Sequence, residues 1–137
     1  MVSPALMAQN PTGWKVLHDK TNTCQMAVPA DWKVAPETTW IGQAPNNQGD
    51  AEITFQPGKT LKPLSEMAQK ALNVAKMFEN TPQRIFWSSQ QTNGDHPITP
   101  YAVRIAAKGG ICAGLISTRS GVSEDVVKKI ASTFAGH

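Results

Sequence analysis

The sequence predicts an α+β domain: an antiparallel β-sheet of about six to seven strands with two main helices packed on it as an α/β/α sandwich. Three observations carry this. Apolar and polar residues alternate in short runs through the first part of the chain. Two later segments, 63–80 and 123–134, repeat their apolar residues with the period of a helix. The strand-like runs between those segments are joined by hairpin-length connections.

In chain order, "WKVLHD" alternates, with Trp14, Val16 and His18 on one side, and "TCQMAV" places Cys24, Met26 and Val28 together. Pro29 ends that run because it cannot donate to a ladder. Extended structure resumes in "ADWKVA" and stops at Pro36, "TTWIGQA" is a further short strand, and "NNQGD" is a turn by composition. "AEITFQ" puts Ala51, Ile53 and Phe55 inward and Glu52, Thr54 and Gln56 outward. From Pro63 to Asn80, the residues Leu64, Met67, Ala68, Ala71, Leu72, Ala75 and Phe78 form one helical stripe, with Pro63 suited to its first turn and Asn80-Thr81-Pro82 as a stop. Three strands follow. "QRIFWSSQQ" leads to an Asn93-Gly94-Asp95 turn, "YAVRIAA" sets Tyr101, Val103, Ile105 and Ala107 on one face, and Lys108-Gly109-Gly110 signals a hairpin. "ICAGLIST" is nearly continuous apolar, which predicts a central strand buried on both faces. Ser123 can cap the final helix, Glu124 and Asp125 suit its positive end, and Val126, Val127, Ile130, Ala131 and Phe134 form its buried stripe.

A chain of 137 residues is one ordinary domain that can bury its own core. Charged residues make up 17%, where about a quarter is usual. Neutral polar residues fill the gap, a balance common in exported proteins. The net charge is +3, and the 13 Lys and Arg residues are scattered rather than gathered in a stripe, which argues against nucleic acid as a partner. No stretch is apolar enough over the roughly eighteen residues that a membrane span needs. "MVSPALMAQN" has the small and apolar residues of the end of an export signal. Residues 1–9 are therefore read as a signal-peptide remnant or a disordered N-terminus, and 10–137 as a single domain in a periplasmic or secreted protein. Cys24 and Cys112 lack the C-x-x-C spacing of zinc or redox sites. In an oxidising compartment they suggest one disulfide; two buried free thiols are the alternative.

The order of elements, "VPADWKV" near the start and "SEDVVKKIASTF" at the end together resemble the superfamily of PsbP-like and Mog-type proteins. The positions that carry the resemblance are Val28, Pro29, Asp31, Trp32 and Val34, then Val127, Lys128, Ile130, Ser132 and Phe134. It implies an α/β/α sandwich in which Trp32 folds back after the turn and covers one edge of the core, and it implies adaptor-type roles more than catalysis.

The sequence carries no G-x-S-x-G, P-loop, G-x-G-x-x-G or H-E-x-x-H pattern. Cys112 follows two glycines but sits in the most apolar run, where a reactive thiol is not expected. Asp95-His96, in a turn, reads as a hydrogen-bonded surface pair. No catalytic residue, metal or cofactor is expected. The candidate binding surface consists of Trp40, in a polar strand, and one of the adjacent pair Phe86 and Trp87, if one face of the sheet is open. The expected function is a non-catalytic exported interaction or accessory module whose partner is another protein, with association to the cell envelope compatible. The alternative is a small-molecule-binding protein or enzyme with a pocket between sheet and helix. A contiguous exposed apolar patch favours the first; a cavity holding a polar group of shifted pKa favours the second.

Overall fold

The computed structural model describes residues 11–136, so the reading of residues 1–9 as a signal remnant lies outside the described residues. The described residues form ten strands and two α-helices: β1 (Lys15–His18), β2 (Cys24–Val28), β3 (Lys33–Val34), β4 (Ile41–Gln43), β5 (Gly49–Pro57), α1 (Glu66–Ala71), β6 (Val74–Asn80), β7 (Arg84–Ser89), β8 (Thr99–Ala107), β9 (Gly110–Thr118), α2 (Glu124–Ser132) and β10 (Ala135–Gly136). Seven strands make one sheet in the order β3-β4-β5-β9-β8-β7-β6, and β1-β2-β10 make a second. Every pair is antiparallel. The expected α+β class and antiparallel sheet are therefore present, together with a smaller sheet that the sequence did not signal.

The main core lies between one face of the large sheet and a layer made of the small sheet and α2. Ile53, Val103, Cys112 and Ile116 from the large sheet meet Leu17, Cys24, Met26 and Val28 from the small one and Val127, Ile130 and Phe134 from α2 and its exit. Gly114 lets these layers approach: a Cβ there would lie 2.9 Å from Val103 Cγ1 and 3.6 Å from Met26 Sδ. The Ser123 hydroxyl caps α2 by accepting from Val126 N, as expected. At the far end of the helix the buried Thr133 hydroxyl accepts from Ala27 N at 2.8 Å and donates to Ile130 O at 2.6 Å, which pins α2 to β2. Trp32 is buried after a turn closed by its own N–H on Pro29 O (3.0 Å) and joins the main core.

The first expected helix is corrected. Only Glu66–Ala71 is helical, with no buried residue, and Val74–Asn80 is an edge strand paired to β7 through two register shifts. Asn73 adopts φ +54° and closes the helix onto Lys70 O, so the backbone leaves helical geometry there. Met77 and Phe78 then point to opposite faces: Met77 joins a smaller cluster and Phe78 packs on the main core. As a result, four strands rather than three separate the helices, and the second face of the sheet has no helical layer to complete an α/β/α sandwich. That face is covered at one end, where Leu61, Leu64 and Leu72 pack on Ile85, Trp87, Ala102 and Ile111. Elsewhere it faces water. β9 is central, yet Leu115 on its outer side is 56% exposed, so burial on both faces holds only near Ile111.

Candidate ligand-binding cleft

The aromatic candidates are dispersed. Phe86 is buried in the main core, stacked on Phe78 with ring centroids 4.6 Å apart. Trp87, on the opposite side of the same strand, is buried in the smaller cluster with the Arg104 guanidinium 4.9 Å from its ring centroid. Trp40 is half-buried before β4, with Lys20 Nζ 4.6 Å from its ring centroid. The three do not form one surface. Among the described residues, the large apolar side chains left exposed are Met67 on α1 and Leu115 on β9.

The polar side chains converge elsewhere, at the end of the large sheet where β8 begins and β9 ends. Thr99 and Thr118 are register partners there. The loop before β8 is folded on itself by Thr92 N donating to Ile98 O (2.9 Å) and Ile98 N donating to the Thr92 hydroxyl (2.8 Å). On the other side, the turn of residues 45–48 is tied to the segment after β9. Arg119 N donates to Gln48 O (2.8 Å), and Gly121 N donates to Gln48 Oε1 (2.9 Å). Between these loops lies a cleft of ≈ 280 Å³ lined by Tyr101, Thr118, Arg119, Asp95 and His96, among others. This is near the lower end of the about 300–1,000 Å³ typical of small-molecule sites.

Its chemistry comes from side chains without partners. Tyr101 is 6% exposed and Thr118 is 3% exposed. Among the described residues neither hydroxyl has a hydrogen-bond partner, and neither is sealed in the interior as an orphan. Both therefore open onto the cleft. Burial pushes the Tyr101 phenol above its ordinary value, and the negative charge of Glu124 adds to the shift. The phenol thus remains a neutral donor and acceptor. Arg119 is half-buried and also lacks a partner among the described residues. It extends the site into an adjoining cleft of ≈ 210 Å³ that also contains Asp50, whose carboxyl is raised by partial loss of water. Asp95 and His96, expected as a mutually bonded surface pair, are both exposed on the rim and not hydrogen-bonded to each other.

The strand alternation places Tyr101 on one face with Val103, Ile105 and Ala107 but does not single it out as a site residue. The signal available was a lone phenol near the start of β8, beside a polar loop. Thr118 and Arg119 gave a weaker signal, as the polar end of an otherwise apolar run. Among the described residues no group of three or more His, Cys, Asp or Glu gathers where it could hold a metal.

No family model and no curated protein matches the chain. A crystal structure of a protein from Bacteroides thetaiotaomicron VPI-5482 is similar, with a TM-score of 0.63 and 13% sequence identity, covering 92% of this chain and 49% of that one. At this identity the likeness speaks for the fold alone, and this chain spans about half the length of that protein.

Proposed function

We propose that the protein is a periplasmic or secreted accessory module that binds a small polar molecule in the strand-end cleft. The observation that carries this reading is the pair of hydroxyls, on the otherwise buried residues Tyr101 and Thr118, that open onto one cleft and that the fold leaves without protein partners. Two hydroxyls that face one cleft with no acceptor or donor from the protein are a place where a ligand or ordered water completes the bonding. Met67 and Leu115, the exposed large apolar residues, lie on separate elements and offer a protein partner less than a contiguous patch would. The extracytoplasmic location rests on the Cys24–Cys112 disulfide. Kinship with PsbP-like and Mog-type proteins is part of the same proposal; its support is local, in the core positions of Trp32, Val127, Ile130 and Phe134.

Thermal denaturation against a panel of sugars, polyols, amino acids and small acids tests the reading. At least one class should raise the Tm of the native protein in a saturable way and have no effect on the Y101F/T118V variant. A native protein indifferent to the whole panel, or a variant that responds equally, contradicts it.

A further inference from the structure

The chain has three arginines, and two of them are engaged within the protein. Arg84 Nε pairs with Glu79 Oε1 at 2.8 Å while its Nη2 donates to Ala131 O at 2.5 Å. The Arg104 guanidinium lies over the Trp87 ring. Arg119 has neither arrangement, although carboxylates at Asp95 and Asp50 line the same two clefts. Its backbone is nevertheless fixed. Its backbone N–H donates to Gln48 O, and its carbonyl accepts from Val122 N at 3.2 Å. A guanidinium presents its donors in a planar fork that a planar oxyanion matches with two parallel hydrogen bonds. A fork on a fixed backbone position, beside two open hydroxyls and without an internal acceptor, is arranged for an acceptor from outside.

We infer that the ligand of this cleft is a small hydroxylated carboxylate whose carboxylate is held by Arg119 and whose hydroxyls reach Tyr101 and Thr118. The inference rests on the cleft being the ligand site and adds the chemical class of the ligand. Asp95 and Asp50 in the same clefts oppose an incoming anion, and the Arg119 fork has to outweigh them. Glu124, the acid felt by Tyr101, is paired with Lys76 at 3.1 Å and Lys128 at 3.7 Å, which offsets its repulsion of an incoming anion. Asp95, exposed on the rim, can accept from a ligand hydroxyl. Thr118 and Tyr101 can each donate or accept, so a polyhydroxylated body satisfies them in either sense.

Galacturonate and galactose differ only in the carboxylate and serve as paired probes in isothermal titration calorimetry. Galacturonate should bind saturably and at least about tenfold tighter than galactose, a difference of about 1.4 kcal/mol. R119Q should remove that preference while the circular dichroism spectrum is unchanged, and R119K should restore part of it. Added salt should weaken galacturonate and leave galactose unchanged. Equal affinity for both sugars, or a preference that survives R119Q, overturns the carboxylate anchor; if that binding is still lost in Y101F/T118V, the cleft itself stands. If neither sugar binds, the inference falls, and the metabolite panel above then decides separately whether the cleft reading falls with it.

Discussion

Cys24 of the small sheet and Cys112 of the large sheet are joined by a disulfide, with their Cα atoms 5.7 Å apart at a sequence separation of 88. It lies within the main core, and both residues are fully buried. Closing so long a loop restricts the unfolded chain by about 4–5 kcal/mol in the entropic model, and measured bridges more often give about 2–4 kcal/mol. C24A/C112A should therefore lower the unfolding free energy by about 2–4 kcal/mol in urea titrations. Because neither sulfur is accessible, the native protein should keep its disulfide in a reductant that cleaves it rapidly once urea is added. This is measured by thiol alkylation and mass spectrometry.

Asp19 organises the turn that leads into Cys24. Its carboxylate accepts from the Thr21 hydroxyl and from the N–H groups of Thr21, Thr23 and Cys24. Burial alone would raise this acid, but the Thr21 hydroxyl and the three backbone donors outweigh it and hold it below the ordinary 3.8. A depressed folded-state pKa contributes stability that is present above the unfolded value and lost as pH falls through the folded one. D19A should cost about 2 kcal/mol at neutral pH, since charged hydrogen bonds are lost and the buried Cys24 N–H is left without its acceptor. The gap between native and D19A unfolding free energies should narrow as the pH is lowered below 3.8, as followed by denaturation at a series of acidic pH values.

Gly110 opens β9 opposite Pro57, where a Cβ would sit 2.2 Å from Gln56 O. The obstacle is backbone, so no rotamer change relieves it. G110A should destabilise by about 3 kcal/mol, the upper end of overpacking penalties. At Gly109, where φ is +84° and nothing lies within 4 Å of a Cβ, alanine incurs backbone strain alone and should cost about 1 kcal/mol. The two are distinguished by thermal denaturation.

Tyr101 gives a prediction in the alkaline range. Its folded-state pKa is raised by burial and by Glu124. The folded state therefore holds its proton more tightly than the unfolded state, and stability is lost as pH rises through the window above 10.0. Y101F should lack that loss, so the two unfolding curves should diverge in its favour above pH 10.0. E124Q should bring the phenol partway back toward its ordinary value in a spectrophotometric titration.

Much of this architecture was legible because most strands follow a period of two with one buried face. Ala51 and Ile53 in β5, Tyr101, Val103 and Ile105 in β8, and Cys24, Met26 and Val28 in β2 are buried as alternation predicts. The failure at 74–80 has a definite cause. Leu72, Ala75 and Phe78 satisfy a helical stripe by spacing, yet a single left-handed residue, Asn73, separates them into two conformations. The two irregularities in β6 then disturb the alternation that would have revealed a strand. The cleft was illegible for a different reason. Its walls come from turn 45–48, loop 91–98 and segment 119–122, brought together by register between β5, β9 and β8 that no local pattern encodes. Trp40, Phe86 and Trp87 drew attention as large residues, but adjacent strand positions face opposite layers, and both layers are covered at Phe86 and Trp87.

The chain contains one tyrosine, so ring-¹³C labelling gives a single phenol signal from the floor of the cleft. Titrating the labelled protein with galacturonate and following that signal by NMR tests the account most directly. The account predicts a saturable shift of the Tyr101 ring resonance that disappears in R119Q. A resonance that stays fixed while the same solution gives a binding isotherm would place the ligand elsewhere on the molecule and contradict it.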